Sequence, residues 1–428
     1  MTKLRYLGKA LRIAAAPLLA ATLLAACDSG STPAASAAGS TVKPGSADQL
    51  ALGRYLTKAA DCAACHTTAT GAPFAGGVEL ASPFGKFYGS NITPDKQHGI
   101  GKWNADQFYK ALHDGVTPDR HLYPAMPYTS YRSMTRADSD AIYAYLMQQK
   151  PVAVPSKEAD LKFPYNMRFG MMFWNVPFLK NSLSDASAGQ SPQSSAWLRG
   201  QYLSNALGHC AECHSPRGVF GQLDLSKPLA GAALGRVAAP NITPAGLAAV
   251  GWTAADLQTF FATGIAPQGS AYGEMFPVVH LSTQYLSKDD LAAITTYLLG
   301  DKPLPPEPVK AISADAAELD AGKRLYTAVC AGCHGFQGDG KPHVAVAMKG
   351  NSTVRNTDPH NLIVAMLDGI EAQKFPGTES LQDMPGFAGQ LSDKELAQLS
   401  NFLRAAWGGQ AADVTPDRIK SMRLTTAH

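Results

Sequence analysis

Cysteine is the residue that most constrains this chain of 428 residues. Six of the seven cysteines form three C-x-x-C pairs, and a histidine directly follows each pair. The three groups are Cys62, Cys65 and His66; Cys210, Cys213 and His214; and Cys330, Cys333 and His334. C-x-x-C-H is the attachment sequence of c-type haem, in which both thiols bond to the porphyrin and the histidine binds the iron. The sequence therefore predicts three covalently bound haem c groups with their irons.

Two other chemistries use paired cysteines. Structural zinc sites and thioredoxin-like redox sites both contain C-x-x-C, but neither requires a histidine directly after each of three pairs. The haem interpretation also uses all six paired cysteines, so that none is left for a disulfide. The seventh cysteine, Cys27, lies far from the others in the sequence.

The N-terminus has the pattern of a bacterial export signal. Basic residues precede an apolar run over 13–26 that is too short to span a membrane. The run ends in Leu24-Ala25-Ala26-Cys27, which resembles a lipobox. This resemblance implies a signal peptide over 1–26, cleavage before Cys27 and lipidation of its thiol. Ordinary signal cleavage, with Cys27 a bystander, is the alternative. Residues 27–47, rich in Ser, Ala and Gly, are predicted to form a flexible tether.

The haem motifs divide the rest of the chain into three similar units. Unit one is predicted over 48–150, unit two over 196–300 and unit three over 316–410, with linkers over 151–195 and 301–315 and a tail over 411–428. Each unit opens with a glycine 8–10 residues before its first haem cysteine, at Gly53, Gly200 and Gly322. Each closes with an apolar-periodic helix, over 138–146, 289–298 and 393–403.

This arrangement resembles class I cytochrome c, in which a first helix crosses a last helix with a small residue beneath an aromatic ring. The expected fold is mainly α: three tandem class I cytochrome c domains after a lipoprotein signal peptide and a flexible tether. Pro73 and Pro342 resemble the cytochrome c proline whose carbonyl accepts the N–H of the haem histidine. Units one and two also share an Asn-Ile-Thr-Pro segment, at 91–94 and 241–244, that unit three lacks.

The second axial ligand decides whether a haem transfers electrons or reacts with small molecules, and methionine is a common partner of histidine in cytochromes c. Three methionines lie 60, 61 and 50 residues after the haem histidines of their units, in proline-bearing segments before the last helix. They are Met126, Met275 and Met384. The competing methionines are Met134, Met348 and Met366. No further histidine recurs at a matching position in all three units, which argues against bis-histidine ligation.

The net charge of +3 argues against a nucleic-acid partner. The family is indicated by Tyr-Pro-Ala-Met-Pro-Tyr at 123–128, Pro-Phe-Ala-Gly-Gly at 73–77 and Arg-Ala-Ala-Trp-Gly at 404–408. Over about residues 48–408, the chain resembles the triple-haem cytochrome c subunits of bacterial membrane-bound dehydrogenases. Those oxidise alcohols, sugars, sugar acids or aldehydes.

The resemblance implies an electron-transfer subunit on the periplasmic side of the inner membrane. A partner chain of flavin, pyrroloquinoline quinone or molybdenum type would oxidise the substrate, and ubiquinone or a terminal oxidase would accept the electrons. On this interpretation the chain has no catalytic residues of its own, and a lipid on Cys27 anchors it. A free-standing or oxidase-linked shuttle and a multihaem peroxidase are the alternatives.

Overall fold

A computed structural model describes residues 45–186, 193–310, 312 and 315–424. The signal peptide, Cys27 and most of the predicted tether lie outside the described residues. The described chain is mainly helical, with four small antiparallel sheets, as the sequence predicts. Among these residues, no helix is both long enough and apolar enough to cross a membrane.

In the described residues of unit one and the linker after it, there are seven α-helices and three strands. The helices are α1 (Ala47–Ala59), α2 (Cys62–His66), α3 (Ala105–Asp114), α4 (Tyr128–Tyr131), α5 (Arg136–Leu146), α6 (Gly170–Phe178) and α7 (Leu183–Ala186). The strands are β1 (Glu79–Ser82), β2 (Gly85–Tyr88) and β3 (Asp160–Leu161). Strand β3 belongs to the linker and pairs with β2, so the linker wraps back around unit one.

Units two and three follow the same plan. The helices of unit two are α8 (Ser195–Gln201), α9 (Ala211–His214), α10 (Pro244–Ala249), α11 (Ala254–Thr263), α12 (Met275–Leu281) and α13 (Lys288–Leu299). Its strands are β4 (Ala232–Leu234), β5 (Val237–Ala239), β6 (Ile265–Ala266) and β7 (Gly269–Ser270). Unit three and the tail contain α14 (Ala316–Val329), α15 (Ala331–His334), α16 (Ser352–Arg355), α17 (His360–Asp368), α18 (Asp393–Leu403), α19 (Pro416–Leu424), β8 (Gln373–Lys374) and β9 (Ser380–Leu381).

A glycine in the first helix of each unit contacts the last helix of that unit. A Cβ on Gly53 would lie 2.0 Å from the carbonyl oxygen of Ala141 and 2.9 Å from the Cβ of Tyr145. Gly200 and Gly322 meet α13 and α18 in the same way. Only a residue without a side chain permits this approach, which confirms the predicted crossing of small residue and aromatic ring.

Each last helix begins directly after a hydroxyl cap, and α18 begins at Asp393, where the sequence predicts its start. Thr135, Ser287 and Ser392 each accept a hydrogen bond from the backbone N–H three residues later. Such caps satisfy one of the N–H groups that a helix start leaves without a partner. The acidic residues fall in the first turn, where the helix dipole favours negative charge.

The first helix of unit two continues as a π-helical turn over Tyr202–Leu207. A π-turn holds one residue more than an α-helical turn. The glycine-to-cysteine spacing is 10 residues in unit two and 9 in unit one, so the turn accommodates the additional residue.

Buried side chains of units one and two form one continuous core, whereas unit three has a core of its own. A smaller cluster joins units two and three, where Phe375 packs against Ala271 and Val279. The tail is not a free extension within the described residues. Its helix α19 packs on unit three, with Ile419 buried at 0% exposure.

Candidate haem-binding sites

Each C-x-x-C-H segment forms one short helical turn directly after the first helix of its unit. The turns are α2, α9 and α15, and the first cysteine either opens the turn or caps it. Residues three apart lie on the same side of a helix, so both thiols of a pair face the same way. All six cysteines are free of disulfides, and the histidine ends each turn.

Burial disfavours the charged form of five thiols, those of Cys62, Cys65, Cys210, Cys213 and Cys330. Burial raises the pKa of Cys62 to about 12 and that of Cys210 to about 11. Redox-active C-x-x-C sites have lowered thiol pKa values, and zinc binds the thiolate. Within the described residues, no cluster of three or more histidine, cysteine or carboxylate side chains is arranged to hold a metal ion. These observations argue against the zinc and thioredoxin-like interpretations.

The three imidazoles are oriented in the same way. The Nδ1 atom of His66 lies 2.6 Å from the carbonyl oxygen of Ser90. The corresponding acceptors are Pro240 for His214, at 2.8 Å, and Val346 for His334, at 2.9 Å. A backbone carbonyl accepts only from N–H, so the bond assigns the proton to Nδ1 and leaves Nε2 free for a metal.

Burial lowers the pKa of all three imidazoles, against the opposing effect of the carbonyl hydrogen bond. The histidines therefore remain neutral near neutral pH, which is the form that binds iron. Paired thiols beside an oriented, neutral imidazole fit covalent haem. When bound, haem supplies reversible one-electron chemistry at its iron, and the protein sets the potential through ligands and burial.

The prediction that the carbonyls of Pro73 and Pro342 orient the imidazoles is wrong. The acceptors in units one and two are the residues directly before the Asn-Ile-Thr-Pro segments. In that segment the Oδ1 of Asn91 accepts from the backbone N–H of Thr93, at 2.9 Å, and from its hydroxyl, at 2.7 Å. This tight turn fixes the carbonyl before it. The repeated segment was thus the sequence signal for the acceptor.

The three candidate methionines are half-buried at the edge of their units' cores. Met384 exchanges both backbone hydrogen bonds with Ile370, which pins its loop. Met275 is the first residue of the short helix α12. The competitors Met134 and Met366 are core residues, with 4% and 3% exposure. The assignment of Met126, Met275 and Met384 as iron ligands stays a prediction.

The attachment turns of units one and two lie against the methionine segments of the opposite units. Glu212, inside the C-x-x-C of unit two, accepts hydrogen bonds from Ser130 at 2.7 Å and Thr129 at 3.3 Å. Both donors belong to α4, just after Met126. In the other direction, α12 with Met275 packs against α2 of unit one. The two candidate sites are therefore neighbours across a shared interface.

Two matching tyrosine–aspartate contacts also join units one and two. Tyr55 in α1 donates to Asp290 in α13, with 2.5 Å between the oxygens, and Tyr202 of unit two donates to Asp138 in α5. Each tyrosine oxygen also accepts the backbone N–H of the other unit's helix cap, at 3.1 Å in both cases. Each of the two units thus contributes the same donor and the same acceptor to the interface.

Unit three docks on unit two through different groups. The guanidinium of Arg355 donates to the carbonyl oxygens of Ala249, at 2.9 Å, and Glu307, at 2.6 Å. Asn361 exchanges two hydrogen bonds with the backbone of Ala238. Around His334, Phe336 is 74% exposed and Val329 is 39% exposed. The third candidate site thus lies beside open apolar surface.

The cytochrome c family model matches residues 50–150 and 319–407, which cover units one and three. The cytochrome c subunit of the quinone-type alcohol dehydrogenase of Gluconobacter oxydans is 35% identical over 397 residues, covering 88% of this chain and 82% of that protein. This chain belongs to the family of dehydrogenase cytochrome c subunits. The fructose dehydrogenase cytochrome subunit of Gluconobacter japonicus is 35% identical over 411 residues, covering 87% of this chain and 82% of that protein.

A subunit of the nicotinate dehydrogenase of Pseudomonas putida is 40% identical over 387 residues, covering 86% of this chain. The present chain spans only 32% of that longer protein. Membership in the family makes haem c the cofactor and electron transfer the role of this chain. The alcohol and fructose dehydrogenase relatives are named as cytochrome subunits, which agrees with the prediction that a partner chain oxidises the substrate.

Proposed function

We propose that this chain carries three haem c groups and relays electrons from a periplasmic dehydrogenase to the respiratory chain. The observation that carries the proposal is the threefold repetition of one site. In every unit a C-x-x-C turn ends in a histidine whose Nδ1 is bound to a backbone carbonyl. The covalent ligands are then Cys62, Cys65, Cys210, Cys213, Cys330 and Cys333, and the axial histidines are His66, His214 and His334.

Met126, Met275 and Met384 complete the proposed iron sites. With six-coordinate iron in every unit, the chain exchanges electrons without binding small molecules, which disfavours a peroxidase. In units one and two, the attachment turn of each unit contacts the methionine segment of the other unit. This contact supports direct electron transfer between the two haems. Unit three, with its own core and exposed apolar surface, forms the other end of the relay.

The substrate-oxidising partner is a separate catalytic subunit. Relatives serve dehydrogenases of alcohol, fructose, gluconate and nicotinate. These dehydrogenases act on unlike substrates, so a flavin, pyrroloquinoline quinone or molybdenum partner is compatible with a cytochrome of this kind. Ubiquinone or a terminal oxidase is the proposed acceptor. A lipid on Cys27 would hold the chain at the periplasmic face of the inner membrane.

A free-standing electron shuttle is the second candidate. It is favoured by a dihaem cytochrome c of Cereibacter sphaeroides, which is 37% identical over 260 residues and of which this chain covers 85%. That relative's name mentions no dehydrogenase. The shuttle would use the same haem sites and need no catalytic partner.

Purification of the native complex distinguishes the two candidates. We expect membranes solubilised in mild detergent and purified through this chain to yield a second subunit carrying flavin, pyrroloquinoline quinone or molybdopterin in stoichiometric amount. Iron and haem analysis should give three haems per chain. A pure haem protein that membrane quinol still reduces would favour the shuttle, and fewer than three haems would refute the relay.

A further inference from the structure

Helix α6, in the linker between units one and two, is apolar on two opposite sides. Its residues contain no charged side chain, and none of them is fully buried. One stripe, formed by Met171, Trp174, Asn175 and Phe178, is half-buried against the protein. The opposite stripe has the same helical spacing and is exposed: Phe169 at 63%, Met172 at 51%, Phe173 at 63% and Val176 at 84%.

The inner stripe fixes the helix in place. The indole N–H of Trp174 donates to the carbonyl oxygen of Phe220, at 2.9 Å, and the hydroxyl of Tyr128 donates to Asn175, at 2.7 Å. The rings of Phe178 and Phe220 lie 6.1 Å apart. Packing of the inner stripe therefore sets the direction in which the exposed stripe points. The exposed stripe does not belong to a loose helix that lacks contacts with the protein.

The exposed surface extends beyond the helix. Phe220 is 65% exposed and its neighbour Val219 is 88% exposed, in the loop after His214. Phe163, before the helix, is 77% exposed. A helix that is apolar all round is normally buried or in contact with lipid. Contiguous apolar surface of this kind marks an interaction site.

Charge and polarity indicate which partner covers it. Lys162 and Lys180 are exposed on either side of the helix, and the helix itself contains no acidic residue. Arg168, which also precedes the helix, is paired with Glu158 at 3.5 Å. Basic residues flanking an apolar helix suit a surface of anionic lipid headgroups. Protein interfaces carry about one hydrogen bond per 100–200 Å². The exposed stripe consists of Phe, Met and Val side chains and offers no such group.

We propose that α6 lies in the surface of an anionic membrane, with Phe169, Met172, Phe173 and Val176 inserted below the headgroups. Nine residues extend about 13 Å as an α-helix, too short to span a bilayer but suited to lie in its interface. The helix is bonded to Tyr128, two residues after Met126, and to the loop after His214. Membrane contact therefore holds the interface of units one and two toward the lipid. The proposal does not depend on the acyl group at Cys27.

Vesicle flotation tests the proposal with the haem-loaded chain carrying Cys27→Ser behind a cleavable secretion leader, so that no acyl group contributes. We expect the chain to float with vesicles containing phosphatidylglycerol. The double variant Phe173→Gln, Val176→Gln should lower the partition coefficient about tenfold or more, because both side chains leave the apolar layer. Each of Lys162→Gln and Lys180→Gln should lower it about fivefold on anionic vesicles.

Val154→Gln with Leu304→Gln is the matched control, because both residues are apolar and 49% exposed but lie outside α6. This control should float as the parent does. Unchanged haem absorption in all variants checks that the fold is retained. Absence of flotation, equal flotation of the α6 variant, or an equal loss in the control overturns the proposal. Loss of a co-purifying catalytic subunit with unchanged flotation would assign the surface to a protein partner instead.

Discussion

The pair of tyrosine–aspartate contacts between units one and two gives a quantitative prediction. Tyr55→Phe removes the hydroxyl that donates to Asp290 at 2.5 Å but keeps the ring and its packing. Asp290 retains two hydrogen bonds from Arg199, both 2.8 Å, so it is not left without a partner. A hydrogen bond to a charged group contributes roughly 1.5–3 kcal/mol. Because Tyr55 is only half-buried, we expect a loss of about 1–2 kcal/mol for this variant.

The matching Tyr202→Phe variant should cost a similar amount, and the double variant about 2–4 kcal/mol in total. Denaturant unfolding at pH 7, followed by the haem absorption band and by circular dichroism, measures the loss. The control is Tyr88→Phe, which removes an exposed hydrogen bond to Glu79 at 3.1 Å within unit one. It should change the free energy of unfolding by less than about 0.5 kcal/mol.

The pH dependence tests the role of the carboxylate. Burial acts to raise the pKa of Asp290, but the hydrogen bonds from Arg199 and Tyr55 and the charge of Arg199 outweigh it, so the pKa lies below its usual value. A carboxylate with a lowered pKa in the folded state stabilises the protein above its unfolded pKa of about 3.9, and this stabilisation is lost in more acid solution. The difference between parent and Tyr55→Phe should therefore be full at pH 7 and shrink below about pH 4. No difference at pH 7, or a difference that grows in acid, would refute this reasoning.

Three further predictions concern ligands, packing and anchoring. The midpoint potential of one haem should fall in each of the variants Met126→Leu, Met275→Leu and Met384→Leu, within the roughly 0.8 V range that axial ligands control. Met366→Leu, in the core, is the control and should leave all three potentials unchanged in the same spectroelectrochemical titration. If one of the three proposed ligands is replaced and no potential changes, the assignment of that methionine as a ligand is wrong. Gly200→Ala should lower the free energy of unfolding by about 1–3 kcal/mol, because its Cβ would lie 1.9 Å from the carbonyl oxygen of Ala293; an unchanged melting temperature would count against the helix crossing. Cys27→Ser with α6 disrupted should release the chain into the soluble fraction, and continued membrane retention would require another anchor.

The sequence predicts the elements whose signals are local. The last helices fall within two residues of their expected starts, because apolar periodicity and first-turn acids mark them. The haem histidines follow from the motif alone. The carbonyl that accepts each imidazole N–H could not be predicted from the motif. Its identity depends on how a later loop folds back against the attachment turn, and Pro73 and Pro342 do not indicate how that loop folds. The sequence of α6 is an apolar run, and periodicity alone does not say which side of such a helix is covered.

The pairing of units one and two depends on particular residues of the sequence, and only the structure shows their role. Tyr55 and Tyr202 both lie two residues after the crossing glycine, whereas unit three has Arg324 there. The third residue of the last helix is aspartate in units one and two, and each aspartate accepts from the other unit's tyrosine. In unit three that residue is Glu395, whose longer side chain turns back to accept the N–H of its own cap, Ser392, at 2.8 Å.

Unit three therefore lacks both halves of the contact that joins the first two units. Its arginine position offers no hydroxyl donor, and its acidic residue is already engaged within its own helix. It packs on unit two through Arg355 and Phe375 instead, with a separate core. Units one and two therefore form a tightly paired body with one core, and unit three is an appended domain with its own core.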